Sequence, residues 1–310
     1  MSVHAFSEVD VFSSIPLGGN PVAVVHDADA LTDEQMAAFA RWTNLSETTF
    51  LCEPSDPDIA DYRLRIFTPG GELPFAGHPT LGSAYTWLAA SGMDTVGDRT
   101  LTQECAAGLV TLKVTEDGAI AFAAPPLARS GDVDDADLDQ AVRALGIGRD
   151  DVVAASWVDN GPGWLGVLLR DAETVRAVEP DLAAMGEAKV GVVGPTGDAP
   201  TADPAPAGAA PESTDDATGD AADATTVDPV PAFEVRAFVP SLGVGEDPVT
   251  GSLNAGLAQW LIGAGIAPQH YVAAQGTCLG RRGRVRIDAD GEDVWVGGVC
   301  TTVISGTVEI

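Results

Sequence analysis

Apolar and polar positions alternate through HAFSEVDVF near the start of the chain. After the turn-rich SSIPLGGNP the apolar run VAVV follows, so the sequence opens as strand, turn, strand. The period then lengthens to that of a helix. In LTDEQMAAFARW, Met36, Phe39 and Ala40 share one face, and Thr32 with Gln35 three residues later makes a capping-box pattern. NLSETTFLC reads as an apolar strand entered through Ser46 and Glu47. DYRLRIFTP reads as a second, with Tyr62, Leu64 and Ile66 on one face and Arg63, Arg65 and Phe67 on the other. GHPTLGSAYTWLAASG then opens a helix, and TLTQECAAGLVTLKV and VTEDGAIAF read as hairpins with short glycine-bearing loops.

After PPLARS the pattern restarts: a helix near DLDQAVRALG, strands at VVAASWV and LGVLLRD, a short helix near LAAMG and a strand at AKVGVVG. Residues 196–231 break it with eight acidic residues, no Lys or Arg, and mostly Ala, Pro, Gly and Thr besides. Such a stretch buries too little apolar surface to offset its ordering entropy, so it is expected to be a disordered acidic insertion between two strands. Beyond it lie the strand FEVRAFVP, a glycine-rich turn, the helix TGSLNAGLAQWLIGAG, and strands at YVAAQG, RVRIDA, VWVGG and TTVISGTVEI.

The two halves repeat one another. RIFTPGGELPFAGHPTLGSAYTWL and RAFVPSLGVGEDPVTGSLNAGLAQWL share a strand R-x-F-x-P, a glycine-bearing loop, and [HD]-P-x-x-G-S opening a helix. Arg65, Phe67 and Pro69 answer Arg236, Phe238 and Pro240. His78, Pro79, Gly82 and Ser83 answer Asp247, Pro248, Gly251 and Ser252. A period this long means a domain duplication rather than a solenoid. Proline after His78 and Asp247 suits a first helical turn, so each motif is expected to aim a helix N-terminus into the preceding loop. Two such ends would clamp a small anion between the halves.

Composition narrows the chemistry. The net charge of −30 comes with only two lysines, Lys113 and Lys189, among 16 basic residues. A surface so acidic repels itself until concentrated salt screens it, which points to a halophilic protein and away from nucleic acid and anionic membrane as partners. The arginines of RRGRVRI, Arg281, Arg282, Arg284 and Arg286, read as one solvated strand face. No apolar run reaches the ~20 residues of a membrane-spanning helix. The opening MSVHAFSEVDVFSS has no basic region followed by an apolar stretch, so a cytoplasmic location is expected. Cys52, Cys105, Cys278 and Cys300 are scattered like reduced thiols, and His4, His26, His78 and His270 lack metal-ligand spacing, so no metal site is expected.

GGNPVAVV, LSETTFL, RIFTPGGELPFAGHPTLGSA, EDPVTGS and QGTCLGRRGRV, taken in order, resemble the successive signatures of the PhzF-like family of phenazine biosynthesis. The resemblance spans nearly the whole chain apart from the acidic insertion. It implies an α+β fold of the diaminopimelate-epimerase type: two pseudo-symmetric domains, each a curled, mostly antiparallel sheet around a central helix. The expected boundaries are 1–124, completed by a last strand at about 300–310, and 125–299. It also implies no cofactor, a small anionic substrate and a homodimer. By motif, Glu47 matches the family's catalytic acid/base, His78 and Asp247 its polar pair, and Ser252 a hydroxyl that holds substrate, with Ser46, Gly77, Thr250 and Gly251 as substrate-binding neighbours. Related racemases use two facing cysteines, which GGELPFAGHPTLG and GVGEDPVTGS lack.

The residue types agree with proton chemistry. Leu45, Phe50 and Leu51 flank Glu47, and burial raises a carboxyl pKa toward the range where it exchanges protons near neutrality. One such group can take a proton from an activated carbon and return it elsewhere on the same face, with the helix ends, His78 and Ser252 stabilising the anion as donors. An amino- or hydroxy-acid epimerase, and a noncatalytic binder of small acids, remain as alternatives.

The charge yields a first prediction. Dialysis from concentrated salt to low ionic strength should lower the melting temperature by well over the ~4 °C that about 1 kcal/mol accounts for in a small domain. A melting curve indifferent to salt would contradict the halophilic reading.

Overall fold

The computed structural model describes residues 2–197, 229–240, 245–291 and 293–310. In chain order the first half contains β1 (Val3–Val11), β2 (Asn20–Val25), α1 (Asp33–Thr43), β3 (Thr48–Cys52), β4 (Tyr62–Thr68), β5 (Gly71–Leu73), α2 (Gly77–Ala90), β6 (Arg99–Cys105), β7 (Gly108–Val114) and β8 (Ile120–Ala123). The second contains β9 (Arg129–Gly131), α3 (Asp135–Leu145), β10 (Val152–Asp159), β11 (Trp164–Leu169), α4 (Ala172–Ala177), α5 (Leu182–Met185), β12 (Lys189–Pro195), β13 (Phe233–Phe238), β14 (Glu246–Asp247), α6 (Gly251–Gly263), β15 (His270–Gln275), β16 (Gly283–Asp290), β17 (Asp293–Gly298) and β18 (Cys300–Glu309).

The helices fall into two kinds. α1 and α3 are amphipathic and lie on the outside, with Thr32 and Gln35 forming the capping box of α1 and Asp134 capping α3. α2 and α6 are apolar on nearly every side, and a helix of that composition must be buried. Leu81, Leu88, Leu253, Leu257 and Leu261 are almost wholly inaccessible, each contributing about 1.5–3 kcal/mol relative to exposure. A sheet curls around each of these two helices.

Strand pairing duplicates as the repeat does. In the first half β2 and β3 pair parallel, β3 and β4 antiparallel, β4 and β6 parallel, then β6, β7 and β8 antiparallel. In the second, β11 and β12, β12 and β13, β13 and β15, then β15, β16 and β17 follow the same sequence of senses. β8 and β17 join the halves edge to edge. The strand after each of these crosses over: β9 pairs with β10, and β18 pairs with β1 along its length. One core cluster accordingly contains residues of both α2 and α6.

β12 and β13 pair up to Pro195 and Phe233, so the acidic stretch leaves and re-enters the sheet at one place. Its residues 198–228 lie outside the described residues, and with them the expectation of disorder there. No described helix is long and apolar enough to cross a membrane. α4 was not foreseen, although Asp171 accepts from the Thr174 N–H in an ordinary N-cap pattern.

α6 leaves no room on the side facing β10. A Cβ at Gly256 would lie 2.1 Å from the Val158 carbonyl oxygen. Gly256→Ala should therefore destabilise the protein by about 1–3 kcal/mol, the usual cost of overpacking. This should hold although alanine is the better helix former. An unchanged or raised urea midpoint would mean that the helix can back away from β10.

Candidate active site

The site forms where the two buried helices meet end to end. Gly77 opens α2 and Gly251 opens α6, and a Cβ built on either would lie 3.5 Å from the Cα of the other. The Phe122 ring stands beside both, its Cζ 2.7 Å from a Cβ at Gly77. Neither helix has a side-chain cap, whereas α1, α3, α4 and α5 are capped by Thr32, Asp134, Asp171 and Asp181. The two capless ends are the ones that face each other.

The repeat positions differ in detail. His78 lies inside the first turn of α2, as expected. Asp247 does not open α6: the helix begins at Gly251 after the N-cap Thr250, and Asp247 belongs to the short strand β14, paired with Ala237. Two things hold it there. Its backbone pairs with Ala237 of β13, and the Asp247 carbonyl accepts from Gln275 Nε2 at 3.1 Å.

The structure brings Glu47, His78 and Asp247 together. Glu47 sits just before β3, and its Oε2 lies 3.4 Å from His78 Nε2. Both atoms are buried and neither makes a hydrogen bond within the protein. Asn20, at the start of β2, joins His78 to Asp247: its Nδ2 is 3.5 Å from His78 Nδ1, donates to Asp247 Oδ1 at 3.1 Å, and donates to the Val249 carbonyl at 2.8 Å. Thr250 Oγ1 donates to Asp247 Oδ2 at 2.5 Å. Gln275 supports this loop, accepting from the Thr250 N–H and donating to Thr250 Oγ1.

The remaining candidates fall around this trio. Ser46 hydrogen-bonds the Glu47 carboxyl. Ser252 Oγ accepts from the Trp164 indole N–H at 3.0 Å, which leaves the hydroxyl proton free to donate. Its repeat partner Ser83 is buried and donates to Thr49, so the duplicated serines have diverged in use. Among the described residues no His, Cys, Asp and Glu group has the form of a metal site.

Burial sets the protonation. It raises the Glu47 pKa above the ordinary carboxylate value, an effect that the Ser46 hydrogen bond opposes. Burial also pushes Asp247 up to about 6, against His78, Thr250 and Asn20, which favour its charged form. His78 is pushed down to about 4 by burial, although Asp247 and the Pro21 backbone favour its cation. At neutral pH the imidazole is therefore uncharged.

Sequence reasoning missed Asn20 and Gln275. The signal for Asn20 was the GGNP turn itself, a glycine pair delivering a polar side chain into a strand start. The arginine cluster was misread in part: Arg281 donates to the Leu17 carbonyl at 3.0 Å and reaches the Gly19 carbonyl at 3.4 Å, clasping the loop that ends at Asn20.

A duplicated, curled α+β fold with carboxyls and an imidazole gathered at two facing helix ends is an architecture of the epimerase type. The sequence profile of the phenazine biosynthesis-like proteins matches residues 9–306, so the chain belongs to that family, and with it to the isomerases. It is 34% identical over 327 residues to antisense-enhancing sequence 1 of Schizosaccharomyces pombe, covering 99% of each chain. It is 37% identical over 196 residues to the trans-2,3-dihydro-3-hydroxyanthranilate isomerase of Pseudomonas fluorescens, 59% of this chain and 63% of that one. Its fold matches the crystal structure of a PhzF-family protein from Enterococcus faecalis with a TM-score of 0.74, all of both chains covered at 24% identity.

The raised pKa of Asp247 has a measurable consequence. A carboxyl whose folded pKa exceeds its unfolded value favours the folded state while protonated, and this advantage is lost as pH rises through about 6. Asn cannot ionise, so the melting temperature of Asp247→Asn should gain on that of the wild type between about pH 4 and about pH 7. A difference constant across that range would mean that Asp247 titrates as it would in water.

Proposed function

We propose that this isomerase moves a proton within a small anionic carbon acid, with Glu47 as the group that removes and returns it. The observation that carries the reading is the pair of buried atoms, Glu47 Oε2 and His78 Nε2, 3.4 Å apart and both without a hydrogen-bond partner. Buried polar atoms ordinarily find partners, and two orphans facing one space are what a substrate would satisfy. The capless N-termini of α2 and α6 offer unspent N–H groups and positive dipole ends to a carboxylate.

In this reading the substrate carboxylate lies against Gly77, Thr250 and Gly251, and its acidic C–H faces Glu47. The carboxylate form of Glu47 takes the proton while the electron pair remains on the substrate, delocalised toward the helix ends. Ser252 donates its free O–H to the developing anion. The proton then returns from Glu47 to another carbon on the same face. Stereochemical inversion at one carbon is a second reading. It is favoured by Asp247, which has a raised pKa and is joined to His78 through Asn20. The proposal includes a homodimer in the cytoplasm, adapted to salt and working without cofactor, in line with the family likeness and the acidic composition.

Turnover in D₂O tests both the role and the reaction type. The probes are trans-2,3-dihydro-3-hydroxyanthranilate, the compound named for the Pseudomonas relative, and a panel of small hydroxy and amino acids. Deuterium at a new carbon marks a shift, and deuterium with inversion at the original carbon marks epimerisation. Glu47→Gln should keep the fold and lose at least ~10²-fold in exchange, as expected when a general base is removed. Undiminished exchange in that variant would remove Glu47 from the mechanism.

A further inference from the structure

The Asn20 amide has two protons and three neighbours. The Val249 carbonyl at 2.8 Å and Asp247 Oδ1 at 3.1 Å are both pure acceptors, so they fix which end of the amide is nitrogen and consume both of its N–H groups. Nothing remains to give to His78 Nδ1, 3.5 Å away. A lone pair on Nδ1 would face an amide nitrogen with no proton to offer. The Pro21 backbone, which has a carbonyl and no N–H, favours a proton on the ring, and Nε2 has no partner within the protein, so Nδ1 is the nitrogen where that proton is favoured.

We infer that Asn20 is a positioning residue that holds His78 as its Nδ1–H tautomer and so turns the Nε2 lone pair toward Glu47. His78 is then an acceptor at the atom that faces the reaction space, the reverse of the donor role its residue type suggested. The inference rests on the proton-transfer reading above and assigns His78 its part in it. When Glu47 has taken the substrate's proton, the new Oε2–H has Nε2 in front of it at 3.4 Å. The hydrogen bond stabilises protonated Glu47, which makes the carboxylate a stronger base. Burial keeps the imidazole neutral, so it accepts this hydrogen bond without taking the proton away.

Arg281 supports the same geometry from outside. By binding the Leu17 and Gly19 carbonyls it fixes the two residues' loop that delivers Asn20 to its three neighbours.

The tautomer can be read on the ligand-free protein. In histidine ¹⁵N-labelled protein near neutral pH, long-range ¹H–¹⁵N spectra distinguish Nδ1–H from Nε2–H imidazoles, and His78→Gln identifies the relevant signals by their loss. The wild type should show His78 as Nδ1–H, and Asn20→Ala or Asn20→Ser should convert it partly or wholly to Nε2–H. A wild-type Nε2–H pattern overturns the inference without any variant having to fold. Retention of Nδ1–H in a folded Asn20 variant overturns it too. Because no substrate is present, this result is independent of the D₂O exchange that judges Glu47.

Discussion

The close approach of two helix N-termini is the constraint on which the rest of the molecule depends. Gly77 and Gly251 are the residues at the contact: a Cβ at Gly77 would strike the Phe122 ring at 2.7 Å, and one at Gly251 would already touch Phe122 and Gly77. Two positive dipole ends at such range repel, and no side-chain cap relieves either. The arrangement is held by what surrounds it: one shared core, the β8–β17 junction, and the loop hydrogen bonds among Asn20, Asp247, Thr250 and Gln275. Negative charge placed between the ends would relieve that repulsion.

The duplication explains how each half presents its helix. Arg65 pairs with Glu72 through two nitrogens, and Arg236 with Glu246 likewise, each binding the strand before the helix back onto the R-x-F strand. Each arginine also lies over the phenylalanine two residues on, Phe67 and Phe238. The copies then diverge. Arg65 adds the exposed Asp33, whereas buried Arg236 reaches the carbonyl oxygens of Val175 and Val178 at the end of α4. Symmetric architecture thus carries an asymmetric site: glutamate and histidine from the first half, aspartate and serine from the second.

Much of this was legible in the sequence, for identifiable reasons. The repeat exposed both buried helices because an all-apolar segment following a glycine-bearing loop has few other fates, and the motifs mark Glu47, His78 and Asp247, which the fold brings together. What stayed hidden depended on distance in sequence. Asn20 and Gln275 have no repeat mark and no charge, and their importance comes from partners more than twenty residues away or in the other half. Arg281 looked solvated because the alternation of RRGRVRI extends a strand pattern over it, whereas it precedes β16 and turns onto the loop at Leu17 and Gly19. The extended course of Asp247 arises from pairing with β13, a tertiary effect that the shared [HD]-P-x-x-G-S pattern masked.

The crossing of β9 and β18 into opposite halves bears on how this chain reaches its native state. β1 is flanked by β2, its near neighbour, and by β18, which begins near Val11 and ends beside Val3. One edge of the first sheet therefore stays open during synthesis until the residues of β18 have emerged. Closing so long a loop costs little more free energy than closing a moderate one, because the penalty grows only with the logarithm of length. It does cost time, since contacts so remote in sequence form slowly. A nascent first half with α2 packed and β1 bare would display an unpaired strand to its neighbours, and this interval is when the protein is most exposed to misassembly.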